Sequence, residues 1–126
     1  AAAVSDYRPA VRAENKIKKE QHDHLNIELT ENPDILYGLG QKKTHQFLVG
    51  FAAETRDVIE YGKAKLAKKN LNLLVANDVA QQGAGFNVST NIAALIYKDG
   101  HIEQYLKMTK DDLGHIIIEK IAEGIN

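Results

Sequence analysis

The clearest indication of the fold is the stretch QFLVGFAAETRDVIEYGKAKLAKKNLNLLVAN, residues 46–77. Its two ends, QFLVGFA at 46–52 and LNLLVAN at 71–77, are short and almost continuously apolar, which is typical of strands buried on both faces of a sheet. Between them Thr55 can cap a helix, although Gly62 weakens that helix by about 1 kcal/mol relative to alanine. A strand–helix–strand unit of this kind predicts an α/β fold.

The segments before this unit continue the alternation of strands and helices. Residues 1–5, AAAVS, predict a short buried strand. HLNIELT at 24–30 alternates apolar and polar side chains, as a half-buried strand does. ENPDILYGLGQKK at 31–43 predicts a helix, with Asn32 as its N-cap and Pro33 in its first turn.

The segments after the unit predict a loop, a hairpin and a helix. DVAQQGAGFNVST at 78–90 is a glycine-punctuated loop. NIAALIYKDGHIEQYLKM at 91–108 predicts a hairpin that turns at Asp99 and Gly100. TKDDLGHIIIEKIAEGI at 109–125 has isoleucines at helical spacing, and its first threonine and an aspartate three residues later resemble a capping box.

Together these elements predict one α/β domain over residues 1–126. We expect a Rossmann-like, three-layer sheet with helices on both faces, followed by a C-terminal hairpin and helix. In such sheets ligands lie beyond the carboxyl ends of the strands. Because the sequence opens on AAAV without an initiator methionine, we also expect this domain to be the C-terminal portion of a longer one.

Composition excludes several classes of function. The 16 basic and 17 acidic side chains give a net charge of −1. This near-neutral balance argues against a large basic surface that would bind nucleic acid or a membrane. The chain has no cysteine, so disulfides and thiolate metal sites are excluded, and this fits the reducing cytoplasm. No apolar run approaches the roughly 20 residues that cross a bilayer.

Charged side chains follow the predicted first strand in SDYRP and KIKK. Asp6 could accept hydrogen bonds from sugar hydroxyls, and Lys16, Lys18 and Lys19 could meet phosphates as point charges. We interpret residues 6–23, which contain them, as a loop or flap. The alternative is an ordinary solvated loop with no ligand.

A second group of candidates surrounds the central strand–helix–strand unit. Gly50 would let a ligand approach the backbone, and Phe51 offers a stacking face. Helical periodicity places Lys65 and Lys69 one turn apart, where their mutual repulsion of a few tenths of a kcal/mol would be relieved by a multiply charged anion. The alternative is a solvated helix face.

The remaining patterns are weaker. Asn77 and Asp78 leave a buried strand and could form the edge of an active site or a tolerant crossover. The histidines show no metal-ligand spacing except His22-x-His24, so we predict no metal site built by the protein. The sequence contains neither a Walker A motif nor a serine elbow.

The stretches AAVSDYRP, KIKK, NPDIL, VGFAAET, KAKLAKKNLNLLVANDV and GF, in this order, resemble phosphopantothenoylcysteine synthetase. The resemblance covers nearly the whole chain. In bacteria this enzyme is often the C-terminal half of a bifunctional coenzyme A biosynthesis protein. The resemblance implies a ligase that joins 4'-phosphopantothenate to L-cysteine, in which CTP first forms an acyl-cytidylate and the cysteine amine then displaces CMP.

The resemblance also implies roles for individual residues. Ala2 and Asp6 would lie at the nucleotide, and Phe51 would pack on it. The catalytic Lys16 begins a flap, shared with Lys18 and Lys19, that closes over the intermediate. The residues that would frame the cytosine through their backbones are Pro33, Asp34, Ile35 and Leu36. The side chains that would hold the triphosphate are Lys65 and Lys69.

The resemblance further implies cofactors and partners. Mg²⁺ would accompany CTP, and FMN would belong to a separate fused decarboxylase domain. We expect a cytoplasmic homodimer, with strand 24–30 as an edge for association, and no nucleic-acid or membrane partner. The family's glycine-rich loop and an asparagine used for the acyl intermediate would precede residue 1. A non-catalytic Rossmann-like module for nucleotide binding or dimerisation is the alternative.

Overall fold

A computed structural model of the chain describes residues 4–18, 24–80 and 90–125. It divides into two compact units, an N-terminal unit, Ala1–Ile35, and a C-terminal unit, Leu36–Asn126. The fold class predicted from the sequence is confirmed, because the C-terminal unit is a mixed sheet covered by helices on both faces.

The N-terminal unit contains a two-stranded antiparallel ribbon. Strand β1, Tyr7–Pro9, pairs with β2, Leu29–Glu31, and the register sets Tyr7 opposite Glu31. The predicted strand at 1–5 is wrong for residues 4 and 5, which are exposed and irregular, while residues 1–3 lie outside the described residues.

The predicted strand at 24–30 is shorter than expected. Leu25 and Ile27 alternate with polar neighbours, but both are more than half exposed and neither belongs to a strand. The described pairing partner, β1, has only three residues, so the ladder ends before it reaches them. Periodicity alone indicated a buried face here, and among residues 4–18 and 24–35 no layer covers it.

Helix α1, Ile35–Lys42, begins later than the predicted 31–43. The amide of Asn32 is occupied elsewhere: its Nδ2 donates to the carbonyl of Ser5 at 2.7 Å, and its Oδ1 accepts from Arg8 Nη1 at 3.0 Å. The Asn32 side chain therefore links the end of β2 to the segment around β1, and its predicted role as the N-cap is wrong.

The C-terminal unit is built on a four-stranded mixed sheet in the order β3-β4-β5-β6. Strand β3 is Val49–Glu54 and is followed by helix α2, Val58–Lys68. The remaining elements are β4, Leu73–Asp78; β5, Thr90–Tyr97; β6, Ile102–Thr109; and helix α3, Lys110–Ile125. Strands β3 and β4 are parallel and the other two pairings are antiparallel.

Side chains of β4 and β5 fill a core on each face of this sheet. On one face Leu74, Ala76 and Ile96 pack against α1 and α2, whose Leu36 and Leu66 join the same cluster. On the other face the sheet packs against α3, and the buried residues of this cluster are Leu73, Val75, Ala93, Leu95 and, from α3, Leu113. The three layers predicted from the sequence are therefore present in this unit.

The central unit of the sequence differs from its prediction at two places. Strand β3 was expected to be buried on both faces, but it lies at the edge of the described sheet and Phe51 is 58% exposed. Thr55 does not cap α2, which starts at Val58 after Asp57 in a left-handed conformation with φ 46°. The polar residues between strand and helix form an irregular turn instead.

The C-terminal turn and cap follow the local predictions. Gly100 adopts a φ of 92° in the hairpin turn, a conformation that suits glycine, and donates its N–H to the carbonyl of Tyr97. Thr109 Oγ1 accepts the N–H of Asp112 at 3.1 Å and donates to its carboxylate at 2.6 Å, so the predicted cap of the last helix is confirmed.

Candidate functional site

The ribbon of the N-terminal unit brings Asp6 beside the NPDIL segment. The carbonyl of Asp6 accepts the backbone N–H of Asn32 at 2.8 Å, and Arg8 Nη1 donates to the carbonyl of Glu31 at 2.6 Å. Pro33 and Asp34 follow directly and both are exposed. The backbone of the candidate sugar-binding Asp6 and the candidate base-framing segment are thus neighbours, although they lie far apart in the sequence.

Lys16 and Lys18 lie on an exposed, irregular part of the N-terminal unit. Ile17, between them, lines a concavity of about 850 Å³ whose other walls include Arg8, Arg12 and the stretch 25–28. Sequence reasoning missed this concavity and its two arginines, because only the pairing of β1 with β2 brings residues 8–17 against 25–28. Ala2 and Lys19 lie outside the described residues.

The C-terminal unit presents Phe51 on the outer strand of its sheet. The side chain is exposed, so its face is available for stacking. A Cβ on the neighbouring Gly50 would lie 2.5 Å from Leu71 Cδ1 and 2.8 Å from Leu74 Cδ1, so the packing of this core requires a glycine here. The approach of a ligand to this backbone stays a prediction.

The two lysines predicted to share a face of α2 are placed differently from each other. Lys65 lies in the last turn, is 45% exposed, and forms an ion pair with Glu54, whose side chain is 14% exposed, at 2.5 Å. Lys69 is the C-cap residue, half-buried, and its N–H donates to the carbonyl of Lys65 at 3.0 Å. Glu54 was not singled out from the sequence, since its partner is 11 residues away.

At the carboxyl end of β4, Asn77 is 5% exposed. Its Oδ1 is buried and has no hydrogen-bond partner within the described part of the chain. Asp78, next to it, accepts the N–H of Ala80 at 3.1 Å and stands opposite Glu54 in the register with β3. The glycine loop that follows, residues 81–89, lies outside the described residues.

A polar cluster on the α3 side was also missed. Glu103 accepts hydrogen bonds from Tyr105 at 2.5 Å and Tyr97 at 3.2 Å, and pairs with Lys120 at 3.2 Å. The Tyr105 hydroxyl holds the pKa of Glu103 below its ordinary value, while burial and Glu103 together raise the pKa of Tyr97 to about 12. Tyr97 pairs with Leu73 at the start of β4, so this cluster lies at the opposite end of the sheet from Asp78.

No group of three or more histidine, aspartate or glutamate side chains in ranges 4–18, 24–80 and 90–125 could hold a metal ion. The pair His22-x-His24 is only partly described, because His22 lies outside these ranges. Within the same ranges no helix is long and apolar enough to cross a membrane.

Comparison with known proteins gives a consistent family. The family model described as DNA/pantothenate metabolism flavoprotein C-terminal domain matches residues 1–125. The coenzyme A biosynthesis bifunctional protein CoaBC of Bacillus subtilis is 48% identical over 121 residues, covering 96% of this chain and 30% of that protein. The protein of the same name from Escherichia coli is 44% identical over 125 residues, with 96% and 30% covered.

Solved structures agree with these similarities. The crystal structure of the C-terminal domain of coenzyme A biosynthesis bifunctional protein CoaBC is 38% identical, with a TM-score of 0.71, over 95% of this chain and 50% of that one. The DNA/pantothenate metabolism flavoprotein from Streptococcus pneumoniae, at 22% identity and a TM-score of 0.68, shares the fold over 96% and 57%. The chain thus spans about a third of the length of its curated relatives.

Proposed function

Since the chain belongs to the DNA/pantothenate metabolism flavoprotein C-terminal domain family, we propose that it forms part of a ligase of coenzyme A biosynthesis. The ligase makes an amide between 4'-phosphopantothenate and L-cysteine and uses CTP to activate the acid. Residues 1–126 supply the C-terminal portion of the ligase domain and most of its nucleotide pocket.

One observation carries this proposal on the structural side. The backbone hydrogen bond from Asn32 to Asp6 brings the main chain at Asp6 next to the exposed residues Pro33 and Asp34. An aspartate neighbouring an exposed backbone segment suits the hydroxyls of a ribose and the polar edge of a base. This arrangement supports nucleotide binding at Asp6, Pro33, Asp34, Ile35 and Leu36 over a solvated loop.

The proposed reaction has two steps. The carboxylate oxygen of 4'-phosphopantothenate attacks the α-phosphorus of CTP, and pyrophosphate leaves. The amine of L-cysteine then attacks the acyl carbon, loses a proton and displaces CMP. Lys65 and Lys69 offset the charge of the triphosphate, and Phe51 packs on the nucleotide. Lys16 acts at the second step, where orientation and exclusion of water protect the mixed anhydride.

Cofactors and partners follow from the same proposal. Because the described ranges offer no cluster of three metal-binding side chains, Mg²⁺ would arrive bound to the phosphates of CTP. FMN would serve a separate decarboxylase domain. The exposed Leu25, Ile27 and Leu29 of the N-terminal unit support association as a homodimer, and the absence of cysteine suits the cytoplasm.

The full-length bifunctional protein provides the test. Amide formation from 4'-phosphopantothenate and cysteine is measured with CTP, ATP and GTP, and CTP alone should support it. Single-turnover chemistry of Lys16→Gln then follows pyrophosphate, acyl-cytidylate and CMP separately, with Lys107→Gln, an exposed lysine on β6, as the matched control.

Accumulation of acyl-cytidylate in Lys16→Gln, with pyrophosphate release partly preserved, supports the assigned role. If pyrophosphate release and CMP formation slow by the same factor, Lys16 acts in binding or activation instead. If the wild-type protein makes no amide with any of the three nucleotides, the proposed ligase function is wrong.

A further inference from the structure

The end of helix α2 is held by a tight backbone motif that fixes Lys69. Asn70 adopts a left-handed conformation with φ 51°, its N–H donates to the carbonyl of Ala67, and the N–H of Leu71 donates to that of Leu66. These are the two bonds of a Schellman cap. Lys69, the C-cap residue between α2 and this motif, therefore has a backbone with little freedom.

Helix α1 presses directly on this helix end at Gly40. A Cβ built on Gly40 would lie 1.9 Å from the carbonyl oxygen of Lys69 and 2.9 Å from its carbonyl carbon. The carbonyl of Gly40 in turn accepts Asn70 Nδ2 at 2.9 Å. The absence of a side chain at residue 40 therefore determines how close α1 and the carbonyl of Lys69 come.

Lys43, just after α1, ties the same two elements together. Its Nζ donates to the carbonyl of Asn70 at 2.6 Å and to Asn72 Oδ1 at 2.8 Å. Asn72 Oδ1 also accepts the N–H of Leu48 at 2.9 Å, so the ammonium group is anchored to the start of two strands. The Lys43 side chain is partly buried, and this burial together with the nearby Lys98 lowers its pKa.

We propose that Gly40 and Lys43 are positioning residues that set where Lys69 stands for its contact with the triphosphate of CTP. The proposal rests on the function proposed above, in which Lys69 holds the triphosphate. Neither residue touches the nucleotide. They act through the helix end that carries Lys69, and α1 also carries Leu36, one of the residues expected to frame the base.

The size of the effect follows from the geometry. Real Cβ atoms essentially never come closer than 3.0 Å to another heavy atom, so Gly40→Ala must move Lys69 or α1 by about 1 Å. Misplacement of about 1 Å can cost a positioned contact on the order of 100-fold, and we expect at least a roughly ten-fold rise in the Kd for CTP.

The test uses the full-length bifunctional protein and two matched pairs of variants. Gly40→Ala is compared with Gly38→Ala, because a Cβ at Gly38 meets nothing within 4 Å although it lies in the same helix. Lys43→Met is compared with Lys42→Met, which removes the same charge from the exposed last turn of α1. Calorimetry gives the Kd for CTP, kinetics give the KM for CTP and for cysteine, and thermal melts report stability.

The proposal is supported if Gly40→Ala and Lys43→Met raise the Kd and KM for CTP while the KM for cysteine stays within about two-fold, and both controls keep wild-type values. It is overturned if either variant only lowers the melting temperature and binds CTP as the wild type does. Lys43→Met decides the matter if Gly40→Ala fails to fold. If the wild-type protein binds no CTP, the proposed function fails and this proposal fails with it.

Discussion

Replacement of Lys65 by alanine separates nucleotide binding from stability. The side chain is 45% exposed and its described ion-pair partner is Glu54, at 2.5 Å. Because the ammonium end of the pair is exposed, water screens the attraction and holding the lysine costs side-chain entropy, so the ion pair is worth about 1 kcal/mol. The fold should therefore lose at most about 1 kcal/mol of unfolding free energy.

The expected loss of CTP affinity is larger. A charge-assisted hydrogen bond to a phosphate contributes roughly 1.5–3 kcal/mol. At 1.4 kcal/mol for each factor of ten, this corresponds to a rise in the Kd for CTP of about 10-fold to about 150-fold. Removal of the ammonium group also leaves Glu54 without that partner, and its negative charge would then add to the loss.

Calorimetric titration of the full-length protein with CTP measures the affinity, and thermal denaturation measures stability. The matched control is Lys63→Ala, which removes a lysine from an exposed position of the same helix. The reasoning would be refuted by a lowered melting temperature with an unchanged Kd, or by an equal rise in Kd for both variants. The second result would show a general effect of charge and no specific contact.

Two further predictions concern the C-terminal unit. Gly62→Ala should destabilise this unit by up to about 2 kcal/mol, because a Cβ there would lie 2.4 Å from Ile96 Cδ1. This overpacking outweighs the gain of about 1 kcal/mol in helix propensity. Gly114→Ala has open space around it and should stabilise the unit by about 1 kcal/mol. Denaturant unfolding measures the change in unfolding free energy for both variants. If both changes have the same sign, the packing argument is contradicted. Burial and the charge of Glu103 raise the pKa of Tyr97 from 10.0 to about 12, so the folded state should lose stability as pH rises between these values. Melts of Tyr97→Phe across that range should show a shallower loss, and a slope equal to that of the wild type would argue against the role of Tyr97.

Some of the fold could be predicted from the sequence because the causes are local. The turn at Gly100 needs a positive φ, which glycine supplies. The cap at Thr109 needs a hydroxyl three residues before Asp112, and the sequence places it there. The apolar run that became β4 is buried throughout most of its length, as a run of that composition predicts.

The candidate site was only partly predictable in the same way. The motifs singled out Asp6, Phe51 and Lys65 individually, and the structure adds the hydrogen-bond partners of Asp6 and Lys65 and the exposure of Phe51. Glu54 became the partner of Lys65 only because the end of β3 faces α2. The concavity lined by Arg8 and residues 25–28 exists only because two distant segments pair as a ribbon.

Local sequence was enough to predict the class of the fold, the hairpin turn at Gly100 and the cap of α3 at Thr109, but the caps predicted at Asn32 and Thr55 were wrong. The tertiary structure decided that β3 is an edge strand of the described sheet, that α2 starts at Val58, and that Gly50 and Gly40 are needed for close packing. The physical reason is how far apart in the sequence the interacting residues lie. A turn or a cap depends on backbone conformations and hydrogen bonds within a few residues, whereas exposure, ion pairs and close approaches depend on which distant segments share the same space.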